Sequence, residues 1–262
     1  MPVSPAVRFA LAFSLAASSA LALAQTQNAA PVYEPSVGQE GKDVVWVPTP
    51  QALVDKMLDM AKVTAADFVM DLGSGDGRSV ITAAKRGARA LGVEYNPDMV
   101  ELSKRNAEKE GVAARASFRK EDLFETDFSK ATVITMFLLP DINLKLRPRI
   151  LDLKPGTRIV SNSFTMGDWK ADETFVLESG ACGNSSWCTA YHWIVPARVA
   201  GSYKLPQGDL TLKQSFQMLS GTLKADGKTF ALQGKVLGED VAFKAGGKED
   251  SGRKNGKQLV LN

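Results

Sequence analysis

A chain of 262 residues, 44 % hydrophobic and 23 % charged, has the composition of an ordinary globular protein with room for one large or two modest domains. That balance excludes both wholesale disorder and a bundle of membrane spans. A formal net charge of +3, with lysines scattered along the chain, lacks the clustered basic stripe of a nucleic-acid binder. The one basic run, Lys244 to Lys257, reads as a solvated tail.

In chain order, the first segment is a targeting signal. Arg8 precedes an alanine- and leucine-rich stretch from Phe9 to Leu21, and Ala22-Leu23-Ala24 offers small residues at a cleavage site before Gln25. Residues 1–24 therefore predict a secretory signal peptide and export, in a bacterium to the periplasm. An uncleaved N-terminal anchor is the alternative. No cysteine follows the cleavage point, which argues against a lipoprotein. Residues 25–43, rich in Gln, Ala, Pro and Gly without period, predict a flexible lead-in.

A domain over 44–198 follows. Leu53, Val54, Met57, Leu58 and Ala61 recur at helical spacing between Pro50 and Lys62. Asp67 to Leu72 is a short apolar strand that runs into a glycine cluster, and Arg78 to Arg86 is a helix stopped by Gly87. Ala90 to Glu94 is a second strand, and Asn96-Pro97 caps and begins the next helix. A third strand lies at 116–120. The apolar run Ala131 to Leu139 has the character of a central strand buried on both faces. Asn143 to Leu153 predicts a helix kinked or restarted at Pro148, and Thr157 to Phe164 a fifth strand. This alternation implies a doubly wound α/β sheet of Rossmann-like type.

After Phe164 the pattern changes. Thr174–Glu178 and Thr189–Val195 read as two strands with no helix between them. Residues 199–262 read as an antiparallel β appendage of four or five short strands, with turns at Asp226-Gly227, Gly238-Glu239-Asp240 and Asn255-Gly256. Phe216 and Met218 are expected to lie on one alternating strand with Leu210 and Leu212. In an exported protein Cys182 and Cys188 read as a small disulfide loop, and no set of ligands suggests a metal. The single histidine, His192, reads as a strand residue with an ordinary hydrogen bond rather than a general base.

The glycine cluster is the first chemical signal. Gly73, Gly75 and Gly77 lie between a strand and a helix, in Asp71-Leu72-Gly73-Ser74-Gly75-Asp76-Gly77. A dinucleotide fingerprint would need glycine at Arg78, and a P-loop would need lysine after the last glycine. The compact spacing lets backbone approach a ligand without phosphate, while Asp71 and Asp76 would repel pyrophosphate and suit a cationic sulfonium and ammonium. Glu94, ending the next strand, can accept two ribose hydroxyls. Asp122 can accept from an adenine amino group while Leu123 packs on the ring. Three acids at the ends of three successive parallel strands face one crevice.

These motifs, with Gly92-Val93-Glu94-Tyr95-Asn96-Pro97 and Glu121-Asp122-Leu123-Phe124, resemble the class I S-adenosylmethionine-dependent methyltransferases. More narrowly, the chain is similar to the small protein-lysine methyltransferases that modify the adenine nucleotide translocase and the ATP synthase c subunit. The resemblance spans about residues 44–165. It implies a seven-stranded methyltransferase sheet, S-adenosylmethionine as cofactor, and Asp71, Gly73, Gly75, Glu94 and Asp122 as its contacts, with Thr49 of Val47-Pro48-Thr49-Pro50 close by. It also implies a protein acceptor. Trp46, Phe137, Leu139 and Pro140 are the expected apolar pocket mouth. The chain departs from amide- and base-modifying relatives, whose acceptor signature after the fourth strand is replaced here by Phe137-Leu138-Leu139-Pro140-Asp141. Export points to an alternative, an inactive binding protein on the same fold with its appendage on an envelope component.

Overall fold

The computed structural model describes residues 33–178, 180–183, 185–256 and 258–261. The expected signal peptide lies outside the described residues. Among these, no helix is long and apolar enough to cross a membrane.

The first sheet is wound from both sides. Helix α1 (Gln51–Met60) precedes β1 (Phe68–Leu72), α2 (Arg78–Lys85), β2 (Arg89–Glu94), α3 (Pro97–Lys109) and β3 (Ala116–Lys120). Then come β4 (Val133–Met136), α4 (Pro140–Leu151), β5 (Arg158–Asn162), β6 (Glu173–Val176) and β7 (Thr189–Ile194). The strands lie in the order β3-β2-β1-β4-β5-β7-β6, parallel from β3 to β5, with β7 antiparallel to both its neighbours. Side-chain alternation along each strand makes two cores. Val69, Val133 and Val160 pack with Leu53, Leu58 and Val80 of α1 and α2, while Met70, Leu72, Ile134 and Met136 pack with Leu146 and Ile150 of α4.

Local chemistry explains most boundaries. Asn96 caps α3 by accepting from the Asp98 and Met99 amides at 2.9 and 3.4 Å, with Pro97 in the first helical position. Gly87, at φ +89°, ends the turn after α2. Two expectations need correction. Helix α4 starts at Pro140, three residues before the expected Asn143, because proline costs nothing at a first position whose amide would be unpaired anyway. It is one helix through Pro148 rather than a restarted one, and the carbonyl that this proline leaves unbonded belongs to the exposed Leu144. The apolar run around β4 is strand only over Val133–Met136, so Phe137 to Leu139 are released from the sheet edge.

The appendage is a seven-stranded meander rather than four or five strands: β8 (Gly201–Leu205), β9 (Gly208–Ser215), β10 (Met218–Ala225), β11 (Lys228–Leu237), β12 (Asp240–Ala245), β13 (Lys248–Asn255) and β14 (Gln258–Leu261). Its core is its own, built from Leu210, Leu212, Leu232, Val236, Val241 and Phe243. The additional strands come from turns at Pro206-Gln207, Phe216-Gln217 and Gly246-Gly247, which alternation alone does not mark. Phe216 leaves the sheet at φ +52° and stacks on Trp169 of the first domain, ring centroids 6.1 Å apart. Beside it, buried Gln217 donates to the Lys170 carbonyl at 2.6 Å, and Lys235 pairs with Asp172 at 2.8 Å. The turn thus serves as a plug between the two sheets.

Replacing Gln217 with leucine leaves the Lys170 carbonyl without its donor. Urea denaturation should show a loss of about 1–3 kcal/mol. Limited proteolysis should cut faster between residues 195 and 201, where the chain passes from one sheet to the other.

Candidate functional site

The parallel strands all end at one edge, and a cleft of about 540 Å³ opens there. Its floor is the glycine turn. Gly73 and Gly75 take left-handed backbone angles, φ +78° and +53°. The amides of Gly73 and Ser74 both donate to the Val93 carbonyl at 2.9 Å, which ties the turn to β2, and Ser103 Oγ donates to the Gly75 carbonyl at 2.8 Å. A Cβ on Gly75 would lie 2.6 Å from Trp46 Nε1, so the lack of a side chain here lets the Trp46 ring lie against the turn. Gly77 is different, and the expectation that it lines the site is corrected. It lies outside the cleft lining, and a Cβ there would press on the Phe118 ring at 2.8 Å and Ser103 at 2.9 Å. Its smallness serves the packing of α2 against β3 and α3.

Asp71, Glu94, Asp122 and Asp76 all line the cleft, and each is held differently. Asp71 is buried and accepts from Thr135 Oγ1 at 2.6 Å. Burial pushes its carboxyl up to about 7, and the carboxylates of Asp76 and Glu94 push the same way, against the Thr135 bond. Glu94 accepts the Gly75 amide at 3.0 Å and the Asn96 amide at 2.9 Å, one on each oxygen, which leaves lone pairs toward the cleft. Asp122 accepts from the Phe124 amide and pairs with Lys42, whose hydrogen bond holds the carboxyl below its ordinary range. Asp76, read as a charge facing a cation, is instead clasped by the Arg78 guanidinium, which also donates to the Thr49 carbonyl at 2.7 Å.

The segment expected as a flexible lead-in is ordered over its described part, residues 33–43, and belongs to the site. Gly38 donates to the Trp46 carbonyl and Trp46 to the Gln39 carbonyl, at 2.8 and 2.9 Å, closing a small hairpin with a bridge between Glu40 and Val45. Gln39 to Thr49 line one wall of the cleft. The strap is held at both ends, by Lys42 on Asp122 and by Thr49 Oγ1, which accepts from Asn162 at 3.2 Å. Composition hides this, because these contacts are made to residues some 80 and 113 positions away.

Leu123, Ser74, Phe137 and Leu139 also line the cleft. Ser74 Oγ is buried with no partner, a donor left for a ligand. Pro140 does not line it; as the first residue of α4 its ring faces solvent. Met99, Phe164 and Trp187 line it unannounced by any motif. Cys182 and Cys188 are joined, Cα atoms 5.9 Å apart. His192 lies outside the cleft, with its pKa lowered chiefly by burial; its Nε2 finds no partner, and its Nδ1 lies 3.8 Å from a Glu173 carboxylate oxygen, beyond an ordinary hydrogen bond.

This geometry sets the comparisons in place. The ANTKMT methyltransferase domain matches residues 71–173, from Asp71 to the first residue of β6. A protein-lysine N-methyltransferase of Saccharolobus islandicus is 48 % identical over 140 residues, covering 52 % of this chain and 87 % of that protein. The chain belongs to this family of S-adenosylmethionine-dependent methyltransferases. The Homo sapiens lysine N-methyltransferase named for the ATP synthase c subunit is 34 % identical over 128 residues, 48 % of this chain and 54 % of that protein. The chain therefore spans about half the length of that relative. A solved structure, an RNA methyltransferase from Salinibacter ruber in complex with S-adenosyl-L-homocysteine, has 47 % identity and a TM-score of 0.54, covering 58 % of this chain and 96 % of that one. The family match ends before the appendage begins.

The raised carboxyl of Asp71 has a consequence for stability. The folded state holds this proton up to about pH 7, whereas the unfolded chain releases it near 3.9. The group's contribution is therefore fully present below pH 4 and lost as pH rises through 7. Asp71→Asn, a neutral isostere, removes that dependence. Urea midpoints at pH 5.5 and pH 8 should show the ligand-free parent protein losing ground to the variant at the higher pH. Parallel curves would place the ionised carboxylate at no disadvantage.

Proposed function

We propose that this methyltransferase acts on lysine side chains of a protein exported with it. The observation that carries the reading is the cleft itself, with acids on one side and apolar and aromatic walls on the other, in a chain 48 % identical to a protein-lysine N-methyltransferase. S-adenosylmethionine supplies a methyl group activated on a sulfonium, so no metal or nucleophilic side chain is called for.

The chain's own residues then bind, orient and exclude water. Asp71 and Ser74 face the positively charged amino-acid end, Glu94 takes the ribose hydroxyls, and Asp122 with Leu123 takes the adenine. Gly73 and Gly75 allow backbone to approach. Thr49 and Trp46 close the strap over them. Holding both reactants in line is the main source of rate, up to about 7–11 kcal/mol in favourable cases. Only a neutral amine can attack, and free lysine has a pKa of about 10.4. Phe137 and Leu139 disfavour the hydrated ammonium and ease its deprotonation, with the proton passing to solvent. Turnover should accordingly rise with pH through the neutral range.

An RNA acceptor, the class named for the Salinibacter ruber protein, fits less well. The chain has no clustered basic stripe, and the cleft is lined by seven acidic residues against two basic ones, Lys42 and Arg78, a balance that would repel a phosphate backbone. Export rests on the signal-like residues 1–24 and on a disulfide, which persists in an oxidising compartment. An envelope protein is the acceptor this reading favours.

Incubating envelope protein and total RNA separately with labelled S-adenosylmethionine decides the acceptor. Label on lysine is expected; label confined to RNA, or to lipid and small molecules, overturns the lysine reading. In the same assay Glu94→Ala should weaken S-adenosylmethionine binding by about 1.5–3 kcal/mol through loss of charge-assisted hydrogen bonds.

Intact-mass measurement tests export. The mature chain should begin at Gln25, with Cys182 and Cys188 resistant to alkylation until reduced. A chain beginning at Met1 with two alkylatable thiols would place the enzyme in the cytosol.

A further inference from the structure

The cleft divides along the sheet. Asp71, Glu94 and Asp122 follow or end β1, β2 and β3, on one half of the strand order. Phe137 follows β4, Phe164 follows β5, and Trp187 precedes β7. Because β7 is antiparallel to β5, its beginning lies at the edge where the others end. Three aromatic rings from three successive strands therefore converge on the other half. Their centroids lie 5.9 Å (Phe137–Phe164), 6.1 Å (Phe137–Trp187) and 5.2 Å (Phe164–Trp187) apart, and all three residues line the cleft.

Nothing in the packing of the fold calls for this cluster. None of the three rings belongs to either core of the first domain, and Trp187 is 39 % exposed. Two local devices place them. Ser163 sits at φ +58°, a left-handed angle costly for a residue with a side chain, and so redirects the chain between Asn162 and Phe164. Trp187 is carried on the loop closed by Cys182 and Cys188, next to a cysteine one residue from β7, and buried Cys182 anchors the far end. A strained backbone and a covalent staple both serve to hold rings at a surface cleft.

We propose that Phe137, Phe164 and Trp187 form the seat for the alkylammonium head of the acceptor, and that the disulfide loop is the device that positions Trp187 in it. This rests on the lysine reading above. Aromatic faces recover part of the hydration that a cation loses on entering an apolar site, and do so most for the bulky, weakly hydrated methylated ammonium. They do not recover all of it, so the same seat that admits the ammonium still eases its deprotonation. The strand-end acids Asp71, Glu94 and Asp122 lie on the cofactor half, and the three rings face the acceptor half. A guanidinium or a nucleobase would be the rival occupants of such a face.

The test uses the full oxidised protein saturated with S-adenosylhomocysteine and two probes by calorimetry. One is Nα-acetyl-trimethyl-lysine amide; the other is its uncharged tert-butyl isostere. The charged probe should bind about tenfold more tightly than the neutral one. Trp187→Ala should erase most of that preference, and Trp187→Phe should restore it. Cys182→Ser combined with Cys188→Ser should weaken the charged probe while leaving S-adenosylhomocysteine affinity unchanged, which also certifies folding. Equal binding of the two probes overturns the proposal, as does failure of the charged probe to bind or a preference that survives Trp187→Ala. Tighter binding of adenosine or uridine monophosphate at the same rings overturns it in favour of base stacking. Failure of S-adenosylhomocysteine to bind is a separate result, and removes the enzyme reading itself.

Discussion

The carboxylate of Asp71 sits near the end of the central strand, beneath the glycine turn at the floor of the cleft, and is almost wholly buried. Two further carboxylates repel it while the Thr135 and Ser79 hydroxyls support it, and burial leaves its ionised form at a disadvantage. An isolated buried carboxylate would be selected against if stability were all that mattered. Set in a cleft, it acts as a standing demand for positive charge, and a cationic ligand answers that demand where a phosphate would worsen it. The glycine turn, the Val93 carbonyl that pins it and the strap that covers it all keep this carboxylate at the floor of the cleft.

The rest of the site follows from sheet topology. Strand order reverses at β1, so the crevice opens between β1 and β4, with earlier strands on one side and later strands on the other. Acids end one set and aromatics flank the other. A cationic donor and an amine acceptor would approach from opposite halves and meet at the boundary, as an in-line displacement requires. Each half is also tied across the cleft. Lys42 joins the strap to Asp122 on the acid side, and Thr49 joins it to Asn162 at the end of β5.

The appendage contributes through docking. Its core is separate, yet Phe216 and Gln217 reach into the first domain beside Trp169, and Trp193 on β7 donates its indole N–H to the Trp169 carbonyl. The β7 end of the first sheet, which carries the disulfide loop, is thereby braced from the far side. The plug works through one turn, where a phenylalanine at positive φ has traded strand geometry for a stacking partner.

Much of this was legible in the sequence, because it depends on neighbours in the chain. Strand and helix periodicity, the Asn96-Pro97 cap and the spacing of Gly73 and Gly75 are local, and so is the placing of Asp71, Glu94 and Asp122 at strand ends. They suffice for a doubly wound methyltransferase sheet. What the tertiary structure alone decided depends on residues far apart meeting. Gly77 turned out to serve packing because Phe118 and Ser103 crowd it. Arg78, which clasps Asp76, reaches across to the Thr49 carbonyl, 29 positions away. The strap, Phe164 and Trp187 joined the cleft through contacts that no periodicity encodes. Pairing across a hundred residues leaves no local pattern, since each partner taken alone reads as an ordinary loop residue.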